Sequence, residues 1–320
     1  MNQEIQPNLS ENPNSDQQWS LPEDIKNFGS TNSPALASSD TNLYIAFKGK
    51  STGRDGDQKI YIAAYDDTSI GNGWSDSTPA SYEANNFNTG KSPAITVFNN
   101  KLFLAWRAYQ DENLAIAYTV DLSSAPDAYN FWAYKAQLDF TSSKPPALTV
   151  FNDKLFMAWE GDNDHEIRWS SSVNGEKENW DDSKKTGFST DQSPALVAFK
   201  DKLYLAWKGK DGNNMGLAYL NETTQKWTKV KIAYKTSGAP SLSVYNDYLF
   251  IAFKDANSID IYYGSSSDGS FPDENSVQVL YAYTDGHPSM AVYAGSLSMA
   301  YDVKADEQLK SCYYPKTKLP

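Results

Sequence analysis

The stretch Pro145–Trp159, PPALTVFNDKLFMAW, occurs three times in nearly the same form. It is preceded by SPAITVFNNKLFLAW at residues 92–106 and followed by SPALVAFKDKLYLAW at residues 193–207. In each copy a short apolar segment leads through two turn residues into a segment whose apolar side chains alternate with period two. Asn and Asp tolerate the positive φ of tight turns, and the alternation places apolar side chains on one face of a strand. The stretch therefore predicts a β-hairpin.

The proline of this motif recurs six times along the chain at intervals of 59, 53, 48, 46 and 48 residues: Pro34, Pro93, Pro146, Pro194, Pro240 and Pro288. A repeat of this length built from short strands is typical of a propeller blade. An aromatic residue before the next proline predicts a fourth strand in each blade, at Trp74, Trp132, Trp180, Trp227 and, more weakly, Phe271. The last copy has no such residue, but Trp19 precedes the first copy.

We therefore predict an all-β fold, a six-bladed β-propeller of four-stranded antiparallel blades. The ring is expected to close by an N-terminal strand near Trp19 that joins the C-terminal blade, because closure removes exposed sheet edges. Residues 15–320 form the single domain of this prediction, and residues 1–14, which are polar and Asn-rich, form a disordered tail.

Composition excludes several classes of function. The 320 residues carry 40 acidic and 28 basic side chains, a formal charge of −12, which argues against a nucleic-acid partner and against adsorption to anionic membranes. No apolar run reaches the length of a membrane span. One cysteine and two histidines give no basis for a disulfide, a metal site or a cofactor. The N-terminal segment lacks a signal-peptide pattern, so we expect cytoplasmic synthesis, with any release by a non-standard route.

The loops after the second strands differ in length and composition, and we expect them to share one face with the segments that lead into the first strands. The residue after each motif aromatic is always charged: Lys48, Arg107, Glu160, Lys208, Lys254 and Asp302. We predict that Lys48, Arg107, Glu160, Lys208 and Lys254 form a ligand-binding rim, with Trp106, Trp159 and Trp207 as stacking platforms. Ordinary core packing of the motif aromatics and plain solvation of the loop ends stay open as alternatives.

The repeated SPAL-x-V-F and KLYLAWKG pattern, with a Trp in each blade, resembles the β-propeller lectins of the tachylectin-like and fucose-binding kinds over about residues 15–316. The resemblance implies sugar binding in shallow pockets between blades, with glycans or glycoproteins as partners. A pyranose packs its apolar face on an aromatic ring, and several weak sites on one disc gain avidity. The lectin hypothesis includes a role as a toxin or defence factor. A propeller that binds a polypeptide is the first alternative.

A glycan-active enzyme is the second alternative, because the chain also resembles, more distantly, the sialidase propellers. That resemblance implies three convergent arginines, and the chain has three in different blade positions: Arg54, Arg107 and Arg168. The nearest counterparts of the sialidase turn S-x-D-x-G-x-x-W are SSSDGSF at 265–271 and SSSVNGEKENW at 170–180. A glycosidase needs only two suitably spaced carboxylates, and no pair stands out. We interpret the densest acidic segment, EGDNDHE at 160–166, as a solvated loop.

Overall fold

The computed structural model describes residues 19–50, 57–66, 73–82, 85–122, 131–303 and 307–314. These residues form six four-stranded antiparallel sheets, so the predicted fold class is confirmed. In the described residues, helical structure is limited to two single 3₁₀ turns, Lys177–Asn179 and Glu274–Ser276. None of the described helices is long and apolar enough to cross a membrane. The predicted tail, residues 1–14, lies outside the described part of the chain.

The strands of each blade follow one another from the axis outward. In chain order β1 (Glu23–Gly29) comes first and belongs to the last blade. Blade 1 has β2 (Ala35–Ser38), β3 (Leu43–Lys48), β4 (Ile60–Tyr65) and β5 (Thr78–Pro79), and a short hairpin follows it, β6 (Ser81–Tyr82) and β7 (Asn85–Asn86). Blade 2 has β8 (Ala94–Phe98), β9 (Lys101–Arg107), β10 (Asn113–Thr119) and β11 (Trp132–Thr141).

Blade 3 has β12 (Ala147–Phe151), β13 (Lys154–Glu160), β14 (Glu166–Ser172) and β15 (Lys184–Ser189). Blade 4 has β16 (Ala195–Phe199), β17 (Lys202–Lys208), β18 (Met215–Asn221) and β19 (Lys226–Val230). Blade 5 has β20 (Ser241–Tyr245), β21 (Tyr248–Lys254), β22 (Asp260–Ser266) and β23 (Gln278–Tyr283). Blade 6 has β24 (Ser289–Tyr293), β25 (Ser296–Val303) and β26 (Gln308–Tyr314), and β1 is its outer strand.

The ring closes as the sequence predicts. β1 pairs antiparallel with β26, with Glu23 opposite Ser311, and the backbone N–H of Ser20 donates to the carbonyl of Tyr313 at 2.8 Å. Trp19 is buried at this seam and packs edge-on against Tyr263 of blade 5 and Tyr314 of blade 6. The first described residues therefore complete the blade whose other strands come from the C-terminal end.

The hairpin turns between the first and second strands have positive φ at both central residues in blades 2 to 6: Asn99–Asn100, Asn152–Asp153, Lys200–Asp201, Asn246–Asp247 and Ala294–Gly295. Two such residues give the type I′ turn, whose twist matches that of the flanking strands. Even Lys200 and Ala294 adopt this conformation, with φ of 46° and 50°. The tight hairpins fix the register of the first two strands in blades 2 to 6.

The fourth-strand markers were only partly correct. Trp132 and Trp227 lie within β11 and β19. Trp74 and Trp180 instead precede their fourth strands, and each forms a single bridge to the third strand of its blade. Phe271 likewise precedes β23. In these three blades the aromatic residue closes the turn between third and fourth strands, so it marks the blade without belonging to the strand.

Candidate active site

The segments that lead into the six first strands meet around the axis, on the end of the propeller called here the lead-in face. Each segment carries a buried hydroxyl residue four positions before the motif proline: Ser30, Thr89, Ser142, Thr190, Thr236 and Thr284. In four blades its hydroxyl donates to the carbonyl of the last residue or next-to-last residue of the second strand, at 2.7–2.9 Å. The sequence predictions missed this element, although six Ser or Thr residues at a fixed offset were visible.

These bonds tie the lead-in segments to the ends of the second strands. Single bridges do the same, for example Thr89 to Ala108 and Thr236 to Asp255. The two sets of loops therefore share one face, as predicted.

Removing one of these hydroxyls is expected to destabilise the fold. Thr89 Oγ1 donates to the carbonyl of Arg107 at 2.9 Å and accepts the N–H of Lys91 at 3.0 Å. Thr89→Val keeps the shape and leaves both backbone groups unpaired, so we expect a loss of about 1–3 kcal/mol in the free energy of unfolding. Denaturant unfolding measures it, and exposed Thr228→Val in β19 is the control, expected within about 0.5 kcal/mol. Equal losses in the two variants contradict the assignment.

A cavity of about 400 Å³ opens at the centre of the lead-in face. Its lining comes from five blades and is almost entirely polar: Ser30–Ser33, Lys91, Ser92, Lys144, Pro145, Gln192, Ser193, Asp285–His287, Asp302 and Glu307. Below it the axial channel narrows between the first strands, where most lining residues are apolar but most of the exposed lining surface is polar. A cavity lined by loops that rigid strands position is a usual place for a substrate site.

Acidic side chains occupy one side of this axial cavity. Asp302 ends the charged rim series, and it is 5% exposed. Its Oδ1 accepts hydrogen bonds from Ser33 Oγ at 3.1 Å and Thr284 Oγ1 at 3.2 Å. Burial raises the pKa of Asp302, the negative charge of Asp285 adds to the rise, and the Ser33 and Thr284 hydrogen bonds oppose it. Asp302 is thus a buried carboxyl group with a raised pKa beside a second carboxyl group.

The position of the Asp302 carboxyl depends on a close glycine. A Cβ on Gly286 would lie 2.1 Å from Ser33 Oγ and 2.5 Å from Asp302 Oδ1. The next residue, His287, donates its backbone N–H to Ser33 Oγ at 2.8 Å. Desolvation lowers the pKa of the His287 imidazole to about 4, so this side chain is neutral at pH 7. The acidic side therefore holds the carboxyls of Asp285, Asp302 and Glu307 and a neutral imidazole.

Basic side chains line the other side of the cavity. Lys91 and Lys144 hold the same position in blades 2 and 3, two residues before the motif proline. Burial lowers the pKa of Lys91, and repulsion by Lys144 and Arg107 lowers it further. Lys144 and Arg107 are therefore both close enough to repel Lys91, and the two lysines line the cavity opposite the carboxyls. Such an arrangement suits a ligand with an anionic group.

The charged residues at the ends of the second strands divide into two groups, and Asp302 was not among those predicted to bind a ligand. Asp302 reaches the axial cavity, whereas the others hold neighbouring loops. Lys48 Nζ donates to Thr31 Oγ1 at 3.2 Å, Lys208 Nζ forms an ion pair with Asp191 at 2.9 Å, and Lys254 Nζ donates to the carbonyl of Asp285 at 3.2 Å. All three therefore support the segments that line the cavity. Their direct contact with a ligand stays a prediction.

Arg107 and Glu160 come together at the junction of blades 2 and 3. Arg107 bonds the carbonyl of Ser142 and the carboxylate of Glu112, at 3.1 and 2.7 Å. Glu160 is fully buried, accepts from Ser143 Oγ at 2.7 Å and contacts His165 Nδ1 at 2.5 Å. Among the described residues no group of His, Cys, Asp and Glu is arranged to hold a metal.

The three tryptophans lie inside the blade junctions. Each stacks on a ring from the preceding blade, with centroid distances of 4.7 Å for Trp106 on Phe87, 4.6 Å for Trp159 on Phe140 and 4.3 Å for Trp207 on Phe188. Trp159 is 1% exposed, and Trp106 and Trp207 are also buried. Trp106 alone of the three lines a cleft, of about 260 Å³, among the cavities described for this part of the chain. Their burial is that of core packing, and a platform role stays a prediction.

The described residues do not bring three arginines together. Arg107 lies at the rim, Arg168 lies within β14 and pairs with Asp164 at 2.7 Å, and Arg54 falls outside the described residues. In the SSSDGSF turn, Asp268 accepts the N–H of Ser270 at 2.9 Å, and Gly269 has a φ of 82° against the Tyr204 ring. This turn is structural.

Comparisons with known proteins point to the fold. No family model and no curated protein matches the sequence. Among solved structures the phage phi92 endosialidase aligns with a TM-score of 0.66 at 12% identity, over 93% of this chain and 69% of that one. The Hadza microbial sialidase Hz136 gives 0.65 at 14%, over 91% and 67%. The GH43_1 enzyme from Xanthomonas citri gives 0.51 at 12%, over 92% and 90%.

These comparisons contradict the lectin hypothesis. The similar structures carry the names of two sialidases and a glycoside hydrolase, and a lectin-type propeller is not confirmed. The toxin and defence roles that accompanied the lectin hypothesis have no support. The repeated motif that carried the lectin resemblance encodes the blade core, which is common to propellers whatever they bind. The glycan-active alternative fits the findings better.

Proposed function

We propose that the protein is a glycoside hydrolase whose active site is the axial cavity of the lead-in face. The observation that carries this proposal is Asp302, a buried carboxyl with a raised pKa in a polar cavity, next to the carboxylate of Asp285. Two carboxyl groups whose environments separate their pKa values are the machinery of glycoside hydrolysis. The structural neighbours named as sialidases and as a GH43 enzyme support the same class of reaction.

Each carboxyl has a distinct role in this proposal. Asp302 donates its proton to the glycosidic oxygen, so that the bond from this oxygen to the anomeric carbon breaks and a neutral alcohol leaves. Asp285, which is exposed, accepts a proton from the water whose oxygen bonds to the anomeric carbon. The products are the free sugar and the alcohol of the leaving group, and the cycle closes when Asp285 releases its proton to solvent and Asp302 takes one up.

The cations opposite the carboxyls favour an acidic sugar as substrate. Lys91 and Lys144 lie across the cavity from Asp302, and their mutual repulsion is relieved when an anionic group binds between them. A sialic or uronic acid residue supplies a carboxylate for this side and a glycosidic bond for the other. Lysines here take the place that the sialidase resemblance assigns to arginines.

A panel of chromogenic glycosides tests the proposal. We expect release of the chromophore from at least one sialoside or uronoside, and slower release from the neutral galactoside of the same aglycone. The Asp302→Asn protein is the control for contaminating hydrolases. Absence of turnover across the panel contradicts the proposed function, and faster turnover of the neutral glycosides contradicts the acidic substrate alone.

Gly286→Ala, a small change beside Asp302, is expected to reduce activity although it alters no catalytic side chain. The Cβ of Gly286→Ala must displace either Ser33 Oγ or the Asp302 carboxyl. A displacement of about 1 Å in a catalytic group costs about 10²-fold in rate, so kcat should fall by that order. Gly90→Ala is the matched control, because its Cβ meets Tyr109 at an ordinary 3.5 Å. Equal activity of Gly286→Ala and the wild type contradicts the role of Asp302.

A further inference from the structure

One side-chain position fills the blade junctions near the opposite end of the propeller, the hairpin face. The third residue of each second strand, or the second in the shorter β3, points toward the next blade, and in five blades it is an aromatic ring: Tyr44, Phe103, Phe156, Tyr204 and Phe250. All five rings are buried in the junction cores. In blade 6 the corresponding residue of β25 is Ser298. The junction between blades 6 and 1 therefore lacks the ring that the other five have.

The rings at this position lie against the next blade. The ring of Phe103 lies against Gly175 of blade 3, where an added Cβ would be 2.3 Å away, and Tyr204 lies equally close to Gly269 of blade 5. Phe250 packs on Tyr314 of blade 6, with the centroids 5.8 Å apart. Each ring thus occupies volume between two blades, and Ser298 is too small to do so. At its junction the ring that lies against a glycine is Tyr65 of blade 1, 2.3 Å from a Cβ added to Gly73.

A cavity of about 400 Å³ lies at the junction where the ring is missing. Ser298 lines it, together with Met299, Ala300 and Cys312, which are buried. A cavity of about 150 Å³ is large enough to bind benzene, so this cavity has room for an aromatic ring with a short chain.

Aromatic rings form the sides of this junction cavity. Tyr65 is edge-on to Trp74 and to Tyr293, with centroids 5.4 and 6.0 Å apart. Tyr313, half exposed, also contributes to the lining. Such rings pack on a bound ring and attract a cation to their faces.

The charge at the junction cavity is negative. Glu23 and Asp24 line it, and no lysine or arginine does. Asp24 forms an ion pair with Lys310, whereas Glu23 is exposed and has no ion pair within the described chain. An uncompensated carboxylate next to aromatic rings favours a cationic ligand and disfavours an anionic one.

We propose that the junction of blades 6 and 1 is a binding site for a small aromatic amine, with the ring in the space left by Ser298 and the ammonium group toward Glu23. This site lies on the hairpin face, at the opposite end of the propeller from the axial cavity. It does not depend on hydrolysis of a glycoside.

The test uses three probes of similar size and different charge: 2-phenylethylammonium, 2-phenylethanol and phenylacetate. Calorimetry measures binding of each probe to the whole protein. Tryptophan fluorescence is a second measurement, and the Trp74→Phe variant identifies the part of the signal that comes from Trp74. We expect the ammonium probe to bind most tightly and phenylacetate least. Ser298→Phe places a ring at the position where the other five blades have one, so it should weaken binding of the ammonium probe by at least about tenfold. The thermal unfolding midpoint should stay the same or rise.

A second variant keeps the test valid if Ser298→Phe does not fold. Glu23→Gln should weaken the ammonium probe about two- to fivefold and leave the alcohol unchanged, because only the exposed charge pair is lost. Glu178→Gln, also exposed, is the matched control and should change neither. The proposal is overturned if no probe binds, if phenylacetate binds as well as the amine, or if Ser298→Phe folds and binds as the wild type does.

Discussion

Asp302→Asn is expected to lower kcat/KM for a glycoside with a poor leaving group by about 10²–10⁴-fold, the usual contribution of a general acid. Asparagine has no proton to give to the glycosidic oxygen. Its amide oxygen still accepts the hydrogen bonds that Ser33 and Thr284 now donate to Asp302. The loss is therefore chemical, and the loops around the axial cavity should keep their positions.

The leaving group separates this role from simple damage to the site. An aglycone of low pKa departs without protonation, so the same variant should lose far less activity on a dinitrophenyl glycoside than on an alkyl glycoside. Steady-state kinetics on the two substrates gives the comparison. Equal losses on both would mean that Asp302 holds the site together without donating a proton.

The same substitution has a defined effect on stability. The raised pKa of Asp302 means that the folded protein binds this proton more tightly than the unfolded chain. Stability from this group is therefore present at low pH and is lost as pH rises through the folded pKa. Asparagine does not ionise, so Asp302→Asn should be more stable than the wild type at pH 7. This difference in the free energy of unfolding should disappear below the ordinary aspartate pKa of about 3.9, where Asp302 is protonated in the folded and the unfolded protein. Activity should fall on the alkaline side of the folded pKa.

Most of the fold was predictable because the determinants of a blade are local. The hairpin residues, the alternation of the second strand and the interval between prolines all lie within about fifty residues, and they repeat. The ring closure at Trp19 was also predictable, because the last repeat has no fourth-strand aromatic residue and Trp19 precedes the first repeat. The prediction that Trp74 and Trp180 lie in fourth strands was wrong, because in the sequence an aromatic residue that closes a turn cannot be distinguished from one that begins a strand.

The candidate site was less predictable because it depends on contacts between distant blades. Asp302 was one of six charged residues at the ends of the second strands, and nothing local separates it from Lys48 or Glu160. What distinguishes it is Ser33, 269 residues away, and the nearby charge of Asp285. The repulsion between Lys91 and Lys144 likewise arises only because blades 2 and 3 are neighbours in the folded protein.

Trp159→Ala is expected to lower the free energy of unfolding by about 3–5 kcal/mol, the usual cost of truncating a large core aromatic. The indole of Trp159 is 1% exposed and stacks on Phe140 at 4.6 Å, in a cluster with Leu148, Leu155 and Met157. Domains of this kind are stable by about 5–15 kcal/mol, so the loss is a large part of the total. Denaturant unfolding followed by circular dichroism measures it.

The conservative variant decides between core and platform. Blades 1 and 5 carry Phe47 and Phe253 at the same position, each stacked on a ring of the preceding blade. Trp159 Nε1 has no hydrogen-bond partner, so Trp159→Phe loses no polar contact and should cost less than about 1.5 kcal/mol. Exposed Tyr283→Ala controls for loss of an aromatic ring as such. If Trp159→Ala instead unfolds at the wild-type denaturant concentration while glycoside binding weakens, the ring acts as a binding platform, and the junction at blade 3 must open to admit a sugar.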